Sequence, residues 1–369
     1  MAKPSRKRPV TQASIAKEAG VSVSAVSLAL RAHPSIPVAT RRRIEAIARK
    51  QGYQQDAQLS KLMSYLRSAS RGRTRPVVAY VNQFEKPAMH RFGGPPEATW
   101  KGLCDRADQL GYKIEEFWMG DRCMSWKRLR QVLEARGIGG IIFDTIIDRD
   151  IDFPMDSFVG VMLNQTRVGQ RLHTVGCNIA FTGFKILNQL RRAGLKRIGY
   201  LHRSGGRPGA RFGYPQAFSA FRQEVPPADR LPMLNVSDPH HVNPVLLAHY
   251  VQEWKPDFVL SDYVIDESTC AEAARTAGRT FMWAYIDYLG SMSGYAGIDQ
   301  KRSTVGFMGM DILDAHLRRN ETGVPAFQKT LTVEGTWMPG RNCPVEVDPE
   351  HGVTPAMGGD SQDTVTART

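Results

Sequence analysis

Long apolar runs are missing from this 369-residue chain: none approaches the roughly 18–20 residues that a membrane-spanning helix needs. Cysteine is scarce too. Its five residues (Cys104, Cys123, Cys177, Cys270, Cys343) are odd in number and scattered, with no pair at metal-ligand spacing. That pattern argues against a disulfide framework and predicts reduced thiols, with no metal and no cofactor. Acid is short in one place only. Residues 1–75 hold 16 Lys and Arg against three carboxylates (Glu18, Glu45, Asp56), whereas the remaining 294 residues hold 33 of each sign. The whole formal charge of +13 therefore sits in the first fifth of the chain, the part that would face phosphate. A secretory signal is the rival reading of basic Lys3 to Arg8 followed by apolar Val21 to Leu30. Lys17, Glu18 and three serines interrupt that pattern, so a soluble, cytoplasmic, nucleoid-associated protein is expected.

Signatures of catalysis are equally thin. Asp148, Asp150 and Asp152 copy the start of a calcium loop, but Phe153 stands where glycine is needed and Val159 where a bidentate glutamate is needed. Gly205 to Gly209 (GGRPG) follows a strand but lacks the lysine and hydroxyl of a phosphate loop, and reads as a rim loop. Gly290 to Gly294 (GSMSG) has Met292 where a nucleophile would stand. His240 and His241 have no partner at metal spacing. No catalytic residue is assigned.

What is present is concentrated between Val10 and Arg31. Ile15, Ala16 and Ala19 recur at helical spacing, and Gly20 follows, where a sharp turn can take a positive φ. Ser22 offers a cap to a second helix with an inner stripe of Val21, Val26, Ala29 and Leu30. Val23, Ser24, Ala25 and Ser27 leave the outer face slim. Two short helices around a glycine match a helix-turn-helix, whose second helix enters the major groove.

Residues 1–9 read as a basic arm without structure of its own. Val38 to Gln51 is a third helix, with Thr40 as a possible cap and Ile44, Ile47 and Ala48 inside. Arg41, Arg42 and Arg43 crowd its first turn, unfavourable for cations on dipole grounds; a nearby phosphate or a solvated face would each account for them. Gly52 ends it and Tyr53 packs back. Leu59, Leu62, Met63 and Leu66 form a stripe on a helix too short to stand alone in water, one that a twofold partner plus DNA could order. Ser68 to Arg75 is a linker.

From Pro76 strands alternate with helices. Strands fall at 77–81, 113–118, 140–143, 158–162, 173–177, 197–201, 258–260, 281–286 and 328–333. Helices fall at 97–110, near 125–136, at 180–193, near 214–224, near 241–253, at 267–277 and at 301–320. This alternation predicts parallel sheets with right-handed crossovers, and about ten strands are too many for one sheet, so two α/β lobes are expected. The expected domains are thus 1–55 (helix-turn-helix), 56–75 (hinge helix and linker), 76–343 (two lobes) and 344–369 (a polar, disordered tail). Asp262 and Asp287 lie just past strand ends, where open α/β sheets bind ligands; a helix cap is the other reading, which suits Asp262.

Residues 1–66 resemble the lactose-repressor (LacI/GalR) family of transcriptional regulators, through IAKEAGVSVSAVS (Ile15 to Ser27), TRRRI (Thr40 to Ile44) and Gly52-Tyr53. The remainder is similar to that family's two-lobed, periplasmic-binding-protein-like core through about residue 335. The resemblance implies that Val23, Ser24 and Leu28 face bases, with Thr11, Ser22, Ser27, Arg31 and Thr40 near phosphates. Arg41 joins them on the charge argument above. Residues 57–65 would be the hinge helix, with Leu62 opening a base step in the minor groove. Effector contacts would be Asn164, Arg211 (or Arg207 in its place), Ser261, Asp262 and Asp287. The implied protein is a homodimeric repressor that reads a pseudo-palindromic double-stranded operator under control of a small molecule, a carbohydrate by the family's habit. The alternatives are a regulator without a ligand, and a DNA-binding module fused to a sugar-metabolising enzyme. Three departures stand out. Leu28 replaces a polar residue and suits a thymine methyl rather than a guanine. Gln55, Leu59 and Ser60 replace Pro, Ala and Arg in the hinge. Cys177 replaces Asp before Asn178. They mark a divergent branch of the family.

Overall fold

The computed structural model describes residues 11–30, 35–51, 75–84, 87–88, 95–120, 124–144, 153–164, 171–203, 213–237, 242–262, 265–287 and 294–347. The chain forms two compact units, Met1–Thr74 and Arg75–Thr369.

In the first unit, α1 (Gln12–Ala19) and α2 (Val23–Leu30) flank the turn and α3 (Val38–Gln51) packs across both. Thr11 caps α1 in a reciprocal box with Ser14: the Thr11 hydroxyl accepts from the Ser14 N–H and the Ser14 hydroxyl oxygen accepts from the Thr11 N–H. Gly20 takes φ 63°, ending α1 with a left-handed residue, and the Val21 N–H reaches back to the Ala16 carbonyl. The Ser22 hydroxyl oxygen accepts from the Ala25 N–H (3.1 Å), starting α2 as expected. Thr40 does not cap α3. The helix has already begun at Val38, the Arg41 N–H donates to the Pro37 carbonyl, and Thr40 lies inside the first turn. Ile15, Ala16, Ala19, Val26, Ala29, Ile44 and Ala48 form the core, and its alanines let three short helices approach closely. Arg31, Gly52, Tyr53 and the stretch 56–66 with Leu62 lie outside the described residues.

The second unit holds two sheets. The first comprises β1 (Val77–Asn82), β2 (Lys113–Trp118), β3 (Gly140–Asp144), β4 (Val159–Leu163), β5 (His173–Cys177) and β11 (Thr330–Val333), in the order β11-β5-β4-β3-β1-β2. The second comprises β6 (Ile198–Arg203), β7 (Met233–Val236), β8 (Phe258–Ser261), β9 (Met282–Tyr285), β10 (Gly297–Asp299) and β12 (Thr336–Met338), in the order β12-β10-β9-β8-β6-β7. Both repeat one winding order, and each is completed by a strand from the last described segment. Among the described residues the pairings are parallel, as the alternation predicts, with one antiparallel addition, β12 on β10. β7, β10 and β12 were not expected from the sequence. They are three or four residues long, too short for a period-2 pattern to declare itself.

Helices cover both faces of each sheet. The first lobe carries α4 (Pro95–Leu110), α5 (Trp126–Ala135) and α10 (Arg302–Arg319); the second carries α6 (Ile179–Arg192), α7 (Tyr214–Glu224), α8 (Pro244–Trp254) and α9 (Glu267–Ala277). Residues 344–347, assigned by composition to the tail, instead pack: Val345 and Val347 lie against the second core, and the Val345 carbonyl accepts from the Trp337 indole N–H (2.7 Å).

The chain passes between the lobes three times, after β5, after β10 and between β11 and β12. The crossings are bound together: the Asn178 N–H donates to the Val333 carbonyl and the Gly335 N–H to the Thr182 hydroxyl. At the middle crossing Lys301 sits at φ 55°, a left-handed conformation that a side chain disfavours. Asp299 holds it there, accepting from the Lys301 backbone N–H and from Nζ, both at 2.8 Å.

One buried pair gives the first lobe a pH dependence. His173 on β5 stacks on His316 of α10, ring centroids 4.2 Å apart, and its Nδ1 accepts the Lys329 backbone N–H (3.1 Å). Burial, with the neighbouring His316 and Lys329, pushes His173 from 6.5 down to about 4. Burial also lowers His316, against the pull of its hydrogen-bond partner Glu321. The unfolded chain therefore binds more protons between about pH 6.5 and 4, and the stabilisation present above that window is lost as pH falls through it. Melting temperature is expected to fall steadily across this interval, and less steeply in His173→Gln, whose amide oxygen can still accept the Lys329 N–H. Equal slopes for the two proteins would count against this account.

Candidate nucleic-acid interface and interlobe site

The outer face of α2 carries the residues expected to meet DNA. Ser22, Val23 and Ser24 are exposed, while Ser27 and Leu28 are half-buried beside the core residues Val26 and Ala29. Thr11 is exposed but already committed as the cap of α1, and Thr40 is half-buried in the first turn of α3.

The arginine triplet divides its labour. The Arg43 guanidinium donates to the Ala19 carbonyl (3.0 Å) at the negative end of α1. Arg41 pairs loosely with Glu45 one turn on (3.8 Å). Arg42, like Lys17 and Arg49, is exposed and makes no side-chain bond to any described residue. In sequence the three form one patch, because nothing in residue order shows that Arg43 reaches a carbonyl 24 residues away. The roles separate experimentally. Arg42→Ala is expected to weaken binding to every duplex alike and lower the salt slope by about one unit for each bound copy. Arg43→Ala is expected instead to lower the melting temperature of the helical unit. Identical effects of both substitutions would overturn the division.

The second site lies at the carboxyl ends of the strands. Asp287, past β9, is gripped by Arg302 at the start of α10: Nε meets Oδ1 at 3.2 Å and Nη2 meets Oδ2 at 2.6 Å, a two-point carboxylate fork. The Arg302 Nη2 also donates to Gln300 Oε1 (3.1 Å), and the Gln300 amide and the Tyr214 hydroxyl both donate to the Ile286 carbonyl. Burial alone would lower the Arg302 pKa; the charges of Asp287 and of Asp144 on the first lobe outweigh it and raise it. Cys177, the residue at the first crossing, shares this surrounding. Burial raises its pKa, so it stays a thiol at neutral pH.

Asp262, beside the buried Ser261 at the end of β8, accepts three hydrogen bonds: from the Tyr200 hydroxyl (3.2 Å), His202 Nδ1 (2.8 Å) and the Arg203 N–H (2.7 Å). Burial raises its pKa and these donors oppose the rise. It is not a helix cap: Asp266 caps α9, accepting from the Thr269 N–H (2.6 Å). Asn164, past β4 at φ 51°, donates to Asp144 (3.3 Å), and the same carboxylate accepts from the Tyr80 hydroxyl (2.8 Å). Tyr80 on β1 with Asp144, and Tyr200 on β6 with Asp262, are thus one arrangement repeated in the two lobes. Asp144, like Asp262, directly follows an apolar strand run (140–143), a signal present in the sequence. Arg302 gave no comparable signal. Arg207 and Arg211 lie outside the described residues.

A basic three-helix module thus precedes two doubly wound lobes joined by three crossings. Residues 13–56 match the family model described as bacterial regulatory proteins, lacI family. No curated protein matches the chain. Among solved structures, a regulatory protein of LacI family from Chloroflexus aggregans is similar at TM-score 0.56 and 12% identity, over 74% of this chain and 99% of that one. The transcription regulator CcpA of Lactococcus lactis is similar at 0.51 and 13%, over 73% and 100%. A CelR–cellobiose complex is similar at 0.50 and 14%, over 90% and 98%. At these identities the likeness establishes the fold.

Proposed function

We propose that the chain is a sequence-specific transcriptional repressor that binds a pseudo-palindromic operator as a homodimer in the cytoplasm. One observation carries this reading: the entire charge excess sits in the unit whose second helix exposes Val23 and Ser24. Phosphates would be held by Ser22, Ser27, Arg31, Thr40 and Arg41, with Thr11 beside them as the cap of α1, and Leu62 would wedge into the minor groove between two copies. Selection from a random duplex pool by the full-length protein is expected to enrich one pseudo-palindrome. A pool that stays unenriched would overturn the reading.

The lobes would carry a small molecule that sets operator affinity through its different fit to open and closed forms. Strand-end Asn164, Ser261, Asp262 and Asp287 offer the hydrogen-bonding groups that sugar hydroxyls require, which supports a carbohydrate; the CelR structure holds cellobiose. Arg211 would close the site from its loop. One observation favours a regulator without a ligand: protein donors already occupy the carboxylates of Asp144, Asp262 and Asp287. A thermal-melt screen against metabolites separates the two, since a ligand specific for the folded state raises the melting temperature. Arg302→Ala is expected to abolish any such rise. By leaving Asp287 without its partly buried partner it should also cost on the order of 1–3 kcal/mol of stability. An undiminished rise in the variant would remove Arg302 from the site.

A further inference from the structure

The face that α2 turns outward contains none of the groups that read guanine or adenine by paired hydrogen bonds. Val23 and Ser27 lie four residues apart, as do Ser24 and Leu28, so the two pairs form adjacent rows along one side of the helix. No guanidinium, amide or carboxylate stands among them. The two-point contacts of arginine to guanine and of asparagine or glutamine to adenine are therefore not available from this face. Its hydroxyls are largely spoken for as well. The Ser22 oxygen accepts the Ala25 N–H (3.1 Å), and Ser27 already has a partner within the protein. The hydroxyl of Ser24, which is exposed, makes no hydrogen bond to a described residue.

What the face does offer is aliphatic surface. Val23, the first residue of the helix, is 48% exposed, and Leu28 is half-buried one turn and a residue further on. An exposed valine at this place contributes nothing to the three-helix core. The charge around it selects a polyanion, and the major groove of duplex DNA has one apolar group at its base edges, the C5-methyl of thymine. We infer that Val23 and Leu28 read the operator half-site through thymine methyl groups, with Ser24 supplying the one directional hydrogen bond. The inference rests on the proposed role of α2 as the recognition helix and adds what that helix recognises. It also implies low selectivity per base. Burying one methyl is worth about a fourfold change in affinity, against roughly 5- to 150-fold for a good two-point contact.

The test uses the full-length protein and the duplex it enriches from a random pool. Each thymine is replaced singly by deoxyuridine, which deletes the methyl and keeps every hydrogen-bonding group. A loss of about fourfold is expected at two positions in each half-site, and none elsewhere. At the same positions 5-methylcytosine should bind better than cytosine. Leu28→Ala and Val23→Ala should each abolish the uridine penalty at one position, dropping it below twofold, while the other position keeps its own. The uridine series on the unaltered protein stands without either variant. Tolerance of uridine within twofold at every position would overturn the inference and leave the repressor reading intact. So would a dominant loss on replacing guanine by 7-deazaguanine. If no duplex is enriched at all, the inference falls together with the reading beneath it.

Discussion

Raising monovalent salt from 50 to 200 mM is expected to weaken operator binding by about 10³-fold or more. Neutralising six to ten phosphates releases their condensed counterions, and the logarithm of affinity then falls with the logarithm of salt at a slope of about −0.9 per phosphate. Each copy brings 16 cations in residues 1–75 against three acids. The fold withdraws only some of them: Arg43 to the Ala19 carbonyl, Arg41 to Glu45, Lys50 to Glu18, and Arg75 to Asp108 in the second unit. Lys17, Arg42 and Arg49, with the basic residues of the arm and linker, suffice for that number in the proposed dimer. The rest of the chain balances to zero, so a fragment of residues 76–369 should not bind DNA even at the lowest salt. Anisotropy titrations on the enriched duplex measure both. A log–log slope shallower than about −2, or a fragment that binds like the whole, would sink the electrostatic assignment.

Gly306→Val is expected to produce the largest loss of stability. Helices α4 and α10 cross the first lobe with their backbones almost touching. A Cβ at Gly306 would lie 2.0 Å from the Thr99 carbonyl oxygen, and one at Gly102 would lie 1.8 Å from that of Ser303. These neighbours are main-chain atoms, so no rotamer change relieves the clash and the helices must part. Overpacking of this kind costs about 3 kcal/mol or more. In a unit this large that is a fall of about 6–12 °C in melting temperature. Gly139→Ala is the control, because a Cβ there meets nothing within 4 Å. Its melting temperature should stay within a degree or two, close to the small effect of stiffening the unfolded chain. A Gly306 variant that melts with the wild type would show that the crossing yields at little cost.

Much of this architecture is readable because its signals are local. The caps at Ser22 and Gly20, the alternation of strands and helices from Pro76, and the stripes on α1 to α3 depend on neighbours within four residues, and the structure agrees with them. Thr40 shows the limit: a good capping residue was outcompeted by a start two residues earlier. β7, β10 and β12 escaped because they are short and draw their hydrogen bonds from strands far away in the chain.

The sites divide along the same line. Strand-end aspartates can be located from the pattern, but their engagement cannot. Asp262 holds three donors from β6, 59 to 62 residues away, and Asp287 is clasped by an arginine beyond an intervening strand.

Residue order alone settles that a cationic helical module precedes a neutral α/β body, because charge and helical or strand periodicity are properties of adjacent residues. Three-dimensional packing was needed to show that Arg43 braces α1 while Arg42 stays free of described partners. It was needed again to pair Tyr80 with Asp144 and Tyr200 with Asp262, and to set Arg302 against Asp287 at a crossing between lobes. Those contacts join positions 15 to more than 60 residues apart, and no local preference encodes which distant side chain will arrive.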